Sequence, residues 1–297
     1  MSGPPGSLVV VATPIGNLGA LSERAKEVLK TADVVCCEDT RRTRALLTAC
    51  SLPSNPRRLR SLHGHNEAER LAGVLALLEA GKTVALVSDA GTPTISDPGG
   101  RVVAAAAAAG FSVRAVPGPS APLSALVVSG LATDRFCFEG FLPRKGPERR
   151  RRLAELAAEE RTVVVLEAPG RLATLLADLQ RACGDRRVAI CRELTKVHEE
   201  VWRGRLDDAE RRFAEDPVRG EVVVVVEGRP PARGVADEVV AATVGARLSA
   251  GDTPRSAADA TAAALGIPRR RAYAEALAQR DRTEGSANPS GAAPGRR

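Results

Sequence analysis

The chain has 297 residues, of which 44% are hydrophobic, so it can bury the cores of two ordinary domains. Charged residues make up 27%, which excludes a disordered composition, and no apolar run approaches the roughly 18 residues of a membrane span. The net charge of +7 favours a polyanionic partner such as nucleic acid, although it would also serve solubility alone. Aromatic residues, at 2%, offer few platforms on which single-stranded bases could stack.

The six cysteines form no C-x-x-C pair, and two of them are adjacent. This spacing favours neither a zinc site nor a disulfide framework, so we expect small buried side chains in a reducing compartment. Residues 1–7 contain no basic region ahead of the first apolar run, which argues against a secretory signal. The sequence therefore predicts a cytoplasmic protein.

In the first half of the chain, short apolar runs alternate with amphipathic segments. Strands are predicted at residues 8–12, 34–37, 83–87 and 112–116, because continuous apolar runs are typical of strands buried on both faces. Helices are predicted around residues 21–29, over 67–79 and over 101–109. This alternation favours a parallel sheet, so residues 7–118 are predicted to form an N-terminal α/β domain.

The turn after the third strand, residues 88–99, contains two aspartates, Asp89 and Asp97, each close to a proline and a glycine. Ligands bind open α/β sheets at such strand ends, and Gly91 would let the main chain approach a ligand closely. A tight turn capped locally by aspartate would explain the same pattern. We predict a ligand site here.

Two further turns carry polar residues at strand ends. Residues 38–41 (EDTR) place acids beside a base, which indicates either a site or an ion pair that caps a helix. Residues 62–67 (LHGHNE) hold two of the three histidines, but no third metal ligand follows at a fixed spacing. We predict a polar loop that faces the substrate, and no metal site.

The second half is predicted to form a C-terminal α/β domain over residues 119–228. Strands are predicted at 136–141, 162–166, 187–191 and 221–226, with helices near 171–182 and 206–214. A basic segment at 143–152 (PRKGPERRRR) indicates a phosphate contact or a solvated face. Residues 192–200 (RELTKVHEE) form a second acid and base cluster, which we predict to lie at a rim.

A Pro/Gly linker after Gly228 marks a boundary, and residues 235–281 read as a helical unit. Helices at 256–265 and 269–278, joined by Gly266-Ile267-Pro268, have the spacing of a helix-turn-helix unit that binds nucleic acid. A helical tail that packs on the body would have the same pattern. Residues 282–297 are predicted to be disordered.

Seven motifs follow one another in a fixed order: TPIGNL, EDTR, LHGHNE, SDAGTPTISDPG, PGPSA, DRFCFEGFLPRK and RELTKVHEE. Together they closely resemble the small-subunit ribosomal RNA methyltransferase I family of the tetrapyrrole methylase superfamily, over residues 7–280. The resemblance implies a two-domain α/β fold that binds S-adenosylmethionine and is distinct from Rossmann-like methyltransferases. It also implies 2′-O-methylation of a cytidine ribose in the decoding region of 16S rRNA, and a homodimer.

The resemblance implies a set of cofactor contacts in a cleft between the two α/β domains. They are Pro14, Gly16, Asn17, Ser88, Asp89, Ala90, Gly91, Thr92, Pro93, Ser120, Ala121, Leu166, Glu167, Ala168, Glu221 and Val222. The family commonly has an aromatic residue and a histidine in a YE-x-x-HR pattern, whereas this chain has Leu166 and Gly170 at those positions. An essential role for those two positions is therefore not expected.

A ribose hydroxyl is a poor nucleophile, so a base that takes its proton would help. The candidates are Glu38, Asp39, His65, Asp89 and Glu193, of which Asp89 is expected rather to orient the cofactor; the sequence does not rank the others. The residues expected to contact RNA are Arg41, His63, Asn66, Arg144, Lys145, Arg149, Arg150, Lys196, Arg269, Arg270 and Arg271.

Two other functions are compatible with much of this pattern. A methylase of a corrin or porphyrin precursor would share fold and cofactor, but would not require the basic segment or the helical unit. A ribosome-assembly factor without catalytic activity would bind RNA, but would have no reason to keep Asp89, Gly91 and Pro93 around a cofactor pocket.

Overall fold

The computed structural model describes residues 6–215, 218–230 and 235–286. The chain divides into two compact units, residues 1–229 and residues 230–297. The strands are β1 (Ser7–Val11), β2 (Val34–Cys37), β3 (Leu59–Ser61), β4 (Thr83–Leu86), β5 (Ser112–Val116), β6 (Phe136–Phe141), β7 (Thr162–Glu167), β8 (Arg187–Arg192), β9 (Glu200–Arg205) and β10 (Val222–Val226). The helices of the first unit are α1 (Glu23–Thr31), α2 (Thr40–Ala49), α3 (Glu67–Glu79), α4 (Gly100–Ala108), α5 (Ala121–Ser129), α6 (Pro147–Ala158), α7 (Leu172–Cys183) and α8 (Leu206–Glu215).

The first sheet has five parallel strands in the order β3-β2-β4-β1-β5. Helices cover both faces: α1 and α2 bury Leu29 and Leu47 on one side, and α3 and α4 bury Leu78 and Val102 on the other. This double cover explains why β1, β2 and β4 are nearly continuous apolar runs. Because parallel strands end at one edge, the loops after β1, β2, β4 and β5 come together there.

The second sheet is mixed, in the order β6-β7-β10-β8-β9. β6 and β7 are parallel, and the remaining pairs are antiparallel. The central strand β10 consists of five buried valines, which pack against α7 on one face and α5 on the other. The two sheets and their helices confirm the predicted α/β fold class.

Two regions contain elements that the sequence did not predict. Helix α2 and strand β3 lie between residues 40 and 61, and strand β9 follows the RELTKVHEE segment. Only Thr43 and Leu47 of α2 are buried, so its apolar periodicity is weak. β9 is an edge strand without a buried residue, and its composition gives little sign of a sheet.

The second unit contains three helices, α9 (Asp237–Ser249), α10 (Pro254–Leu265) and α11 (Arg269–Ser286). Their core includes Val240, Val244, Ala258 and Ala276. Helix α11 continues through residues 282–286, which the sequence assigned to a disordered tail, while 287–297 lie outside the described residues. Residues 231–234 of the predicted linker also lie outside them.

All six cysteines are free, and Cys36, Cys37 and Cys191 are buried. In the described ranges, no group of three or more histidine, cysteine or acidic side chains could hold a metal ion. None of the helices described above is long and apolar enough to cross a membrane.

Candidate active site

A cavity of about 380 Å³ lies where the ends of the first sheet face the second sheet. Its walls come from the turns after β2, β4 and β5 and from β7 and β10. The predicted cofactor residues that line it are Asp89, Ala90, Gly91, Thr92, Ser120, Ala121, Leu166, Glu167, Ala168, Glu221 and Val222. We call this space the first cavity.

The loop after β1 is fixed to the turn after β4 by a two-way backbone bridge. Thr13 N–H donates to the Gly91 carbonyl at 2.8 Å, and Gly91 N–H donates to the Thr13 carbonyl at 3.1 Å. The buried Thr13 hydroxyl also donates to the Ser88 carbonyl at 3.2 Å. Gly91 has φ +82°, a backbone conformation that favours glycine. These bonds give the cavity floor a fixed shape.

The continuation of this turn holds two other residues in the left-handed region, Thr94 at φ +74° and Ser96 at φ +63°. Such backbone conformations are strained for residues with a Cβ, most of all for a β-branched one, and strain of this kind concentrates at functional sites. Both residues flank Ile95, whose exposed side chain lines the first cavity together with Ser96 and Asp97.

Five carboxylates line the first cavity, those of Glu38, Asp89, Asp97, Glu167 and Glu221. Burial raises the pKa of Asp97 to about 6, and the charges of Glu38, Asp89 and Glu221 add to this shift, against a hydrogen bond with Ser88. Burial and the Asp89 charge also raise the pKa of Glu38. The cavity therefore carries a negative potential that suits a cationic ligand.

Asp89 connects the two neighbouring turns of the first sheet. Its Oδ1 accepts a hydrogen bond from the Asp39 backbone N–H at 3.0 Å, and its Oδ2 lies 3.4 Å from Nη1 of Arg42. The end of β2 is thereby held against the end of β4, so that Glu38 and Asp97 face the same space.

Glu167 is a buried carboxylate at the end of β7, with 2% of its surface exposed. Its Oε1 accepts from the Ala168 backbone N–H at 2.8 Å and forms an ion pair with Arg171. Its Oε2 is buried and has no hydrogen-bond partner among the described residues. Because an unpaired buried oxygen is costly, this atom is positioned to accept a hydrogen bond from a ligand in the first cavity.

A second cavity of about 410 Å³ adjoins the first and shares Ile15, Arg42, Asp89, Ala90 and Glu221 with it. Its other walls are the loop after β1 and one stripe of α2. The residues found only here are Pro14, Gly16, Leu18, Ala45, Leu46, Ala49 and Lys196. The two spaces therefore form one bipartite site. The first cavity is lined by five carboxylates and Arg42, and the second by Arg42, Lys196, Asp89 and Glu221.

The RELTKVHEE segment reaches this second cavity through Lys196. Its Nζ lies 2.9 Å from Oε1 of Glu193 and 3.4 Å from Oε2 of Glu221. Glu193 Oε1 also accepts from the Glu221 backbone N–H at 3.0 Å. This segment thus contributes to the site, as its cluster of acids and bases indicated.

The predicted proton acceptors differ in their surroundings. Asp39 caps α2 and pairs with Arg41, whose hydrogen bonds lower the pKa of Asp39 to about 2. The hydrogen bond from Lys196 lowers the pKa of Glu193. Neither carboxylate is suited to hold a proton near neutral pH, which argues against the catalytic role predicted for them. Glu38 does line the first cavity, with a raised pKa.

The two histidines of the LHGHNE loop lie together, with ring centroids 6.1 Å apart, and line neither cavity. Asn66 accepts a hydrogen bond from the His63 backbone N–H at 2.8 Å, so this side chain stabilises its own loop. His65 is exposed. A contact of this loop with substrate stays a prediction.

The basic segment is partly helical, and its cations face different ways. Arg149, predicted to contact RNA, is buried in α6, where its Nε lies 2.7 Å from Asp178 and its Nη1 donates to the Pro143 carbonyl at 2.9 Å. This burial contradicts the RNA contact predicted for Arg149. Arg144, Lys145 and Arg150 are exposed and stay available to a polyanion.

In the helical unit, two of the three predicted RNA contacts pair with acids. Arg269 pairs with Asp259, and Arg271 pairs with Asp237, whereas Arg270 is exposed. Residues 235–286 contain seven arginines and seven acidic residues, so their formal charge balances. The net positive charge that favours nucleic acid therefore does not come from this stretch.

Three predicted cofactor contacts lie outside both cavities and stay predictions, while other cavity residues were not predicted. Asn17, Ser88 and Pro93 line neither cavity; Ser88 is buried, and Asn17 caps a short 3-10 helix. Arg42, Asp97 and Phe141 line the first cavity without having been predicted to do so. Asp97 lay inside the motif that signalled the site, but sequence proximity alone does not tell which carboxylate faces a cavity.

Comparisons with known proteins agree with this architecture. Residues 7–210 match the family model described as Tetrapyrrole (Corrin/Porphyrin) Methylases. A relative from Mycobacterium tuberculosis (strain CDC 1551 / Oshkosh), named ribosomal RNA small subunit methyltransferase I, is 48% identical over 96% of this chain and 99% of its own. A relative of the same name from Xylella fastidiosa (strain Temecula1 / ATCC 700964) is 47% identical over 91% of this chain and 98% of its own.

Among solved structures, uroporphyrin-III C-methyltransferase from Thermus thermophilus, complexed with S-adenosylhomocysteine, has a similar fold. The TM-score is 0.52 at 22% identity, over 74% of this chain and 96% of that one. At this identity, the likeness concerns the fold alone.

Proposed function

The chain belongs to the tetrapyrrole methylase family and, within it, to the ribosomal RNA small subunit methyltransferase I group, and we propose that it methylates the ribose 2′-hydroxyl of a cytidine in the decoding region of 16S rRNA. It is an S-adenosylmethionine-dependent methyltransferase. The observation that carries the proposal is the bipartite site. In it, the acidic first cavity continues into the second cavity, which has Arg42 and Lys196 at its walls.

The first cavity fits S-adenosylmethionine, whose sulfonium and amine are cationic. The carboxylates of Glu38, Asp97 and Glu221 would favour those charges, and Glu167 Oε2 would accept a hydrogen bond from a hydroxyl or amine of the adenosyl group. Ile95, Phe141 and further apolar side chains would cover its uncharged surface. When bound, the cofactor supplies an electrophilic methyl group.

The second cavity fits one nucleotide of a polyanionic chain. Arg42 and Lys196 lie at its walls, and Leu18, Leu46 and Ala49 offer apolar surface to a sugar or a base. Arg41 and Arg44 on α2 add exposed charge beside the groove, and the exposed Arg144, Lys145 and Arg150 supply further positive charge on the first unit. These cations are better placed for rRNA than the balanced charges of the helical unit.

The protein's own contribution to the reaction is mainly alignment. The Thr13–Gly91 bridge and the Asp89 bonds fix the turns that line both cavities, so an acceptor hydroxyl in the second cavity would face the first at a set distance. Enclosure by the second sheet would exclude water from the reacting atoms.

We propose, further, that the enzyme acts as a homodimer in the cytoplasm, where its rRNA substrate is found. Helix α5 supports a self-contact, because Leu123 and Val127 are 50% and 71% exposed on a helix that begins at the first cavity. A homodimer would cover this apolar face beside the site.

Methyl transfer tests the proposal. Small ribosomal subunits from a strain that lacks this protein are incubated with labelled S-adenosylmethionine and either the wild-type protein or an Arg42→Ala, Lys196→Ala variant. We expect label in one cytidine ribose with the wild type and a large loss with the variant. Labelling of a tetrapyrrole precursor instead of RNA would contradict the proposal, as would cofactor binding without transfer to any acceptor.

A further inference from the structure

Asp97 is a partly buried carboxylate in the turn after β4. It lines the first cavity, and the residues on its N-terminal side include two with strained backbone, Thr94 and Ser96. A strained backbone persists only where the surroundings hold it in place. The turn that carries Asp97 therefore holds a strained backbone beside the first cavity.

The negative charges around Asp97 come from its own turn and from two other parts of the first unit. Glu38 follows β2, Asp89 precedes Asp97 in the same turn, and Glu221 precedes β10. Arg42 lies 3.4 Å from Asp89 and Lys196 lies 3.4 Å from Glu221, so both cations are engaged with other carboxylates. Asp97 itself forms no ion pair in the part of the chain that the structure describes.

Glu38 also lines the first cavity without an ion pair among the described residues, but the charges of Arg42 and His63 oppose the rise in its pKa. Three further carboxylates have partners. Asp39 is bound by Arg41, Glu193 is bound by Lys196, and Asp89 accepts from the Asp39 backbone and pairs with Arg42. Burial and neighbouring negative charge raise the pKa of Asp97 to about 6, closer to neutrality than that of an ordinary aspartate. A general base works best when its pKa lies near the working pH.

We infer that Asp97 is the catalytic base, which takes the proton of the acceptor hydroxyl during methyl transfer; this inference rests on the proposed function. The acceptor oxygen forms a bond to the methyl carbon as the carbon–sulfur bond breaks, and the electron pair of that bond stays on sulfur. The proton leaves the oxygen for the Asp97 carboxylate, so that atoms and charge balance.

The proton affinity of Asp97 depends on the charge of the bound cofactor. A bound sulfonium cation favours the ionised carboxylate, which is then ready to accept a proton. Loss of that cation on methyl transfer removes the stabilisation, while the negative charges of Glu38, Asp89 and Glu221 remain. The affinity of Asp97 for a proton therefore rises at the step in which a proton must be accepted.

Calorimetry of cofactor binding, without any RNA, provides a readout that is independent of activity. Titrations near pH 6 in two buffers of different ionisation enthalpy give the number of protons exchanged. S-adenosylmethionine binding should release protons, whereas S-adenosylhomocysteine binding should take protons up or leave them unchanged. The difference should disappear in Asp97→Asn and persist in Asp134→Asn, an exposed carboxylate ahead of β6. Equal exchange for the two ligands in the wild type would overturn the inference.

Kinetics provide the second readout. Asp97→Asn should lower kcat by about 100-fold or more, and Asp97→Glu should recover part of the rate. The kcat of the wild type should fall as the pH is lowered through the pKa of Asp97, and this fall should be absent in Asp97→Asn. An Asp97→Asn enzyme with the wild-type rate and profile would overturn the inference. Absence of methyl transfer to RNA by the wild type would instead contradict the proposed function.

Discussion

At the scale of single residues, Glu167 is the side chain that most directly indicates a bound ligand. One of its oxygens is held by Ala168 and Arg171, and the other is buried without a partner among the described residues. Arg171 thus orients the carboxylate in a segment where the family pattern has an aromatic residue and a histidine. The departure from that pattern leaves the carboxylate itself in place.

Glu167→Gln should weaken S-adenosylhomocysteine binding by about tenfold to a hundredfold, because a hydrogen bond to a charged group contributes roughly 1.5–3 kcal/mol. Isothermal titration calorimetry measures this change. Glu155→Gln, on the solvent face of α6, is the matched control and should bind like the wild type. Equal affinity of Glu167→Gln and the wild type would show that Oε2 does not contact the ligand.

Asp97 should make stability depend on pH in the cofactor-free protein. Its folded pKa, about 6, lies above the ordinary value of 3.8, so its contribution to stability is complete below pH about 4. It is lost as pH rises through 6. Asp97→Asn should therefore melt at a higher temperature than the wild type above pH 6, and the difference should shrink towards pH 4. A constant difference in Tm across this range would contradict the assignment.

Asp89 to Thr92, which were predicted from one motif, all line the first cavity, because neighbours in this turn are also neighbours in the cavity. Their contact with the cofactor stays a prediction. Arg149 was misassigned because a run of arginines does not tell which one faces the core of a helix. The role of Asp97 depends on carboxylates from 38 to 221, and no local pattern contains that information.

At the scale of elements, α2 shapes the second cavity through one stripe, Arg42, Ala45, Leu46 and Ala49. The sequence did not predict this helix, because its exposed face carries the arginines and only two residues are buried. The strands β1, β2 and β4 were predicted, because burial on both faces imposes continuous apolar runs. Edge elements such as β3 and β9 lack that constraint.

Ala45→Leu should fill part of the second cavity without touching the first, since Ala45 lines only the second. The KM for small ribosomal subunits should rise severalfold, while the Kd for S-adenosylhomocysteine should stay unchanged. Thr48→Leu, exposed on the same helix and outside both cavities, is the control. If both variants had the wild-type KM, the second cavity would not be the RNA site.

The strained turn after β4 offers a second test at this scale. Thr94→Gly removes a Cβ from a left-handed residue, so stability should rise by about 0.5–1 kcal/mol, after the unfolded-state entropy of glycine is subtracted. The rate of methyl transfer should fall, because the turn no longer fixes Asp97. Thr133→Gly, in an exposed loop, should not gain stability. Denaturant unfolding and kcat measure both effects, and a destabilised Thr94→Gly protein would contradict the strain argument.

At the scale of the whole molecule, both cavities lie within the first compact unit, residues 1–229. The second unit has balanced charge in its described helices, although its helix-turn-helix spacing predicted an RNA-binding role. The division of residues 7–228 into two α/β domains stays a prediction, and the charge balance of residues 235–286 can be counted directly in the sequence. An RNA contact by Arg270 stays a prediction.

The central claim is that this bipartite site methylates one ribose of small-subunit rRNA. The most direct measurement is mass spectrometry of nucleosides and mapped fragments of 16S rRNA from paired strains with and without this protein. We predict that 2′-O-methylcytidine disappears from one decoding-region position in the strain without the protein, and returns with the wild-type gene but not with Asp97→Asn. Identical ribose methylation in the two strains would contradict the account.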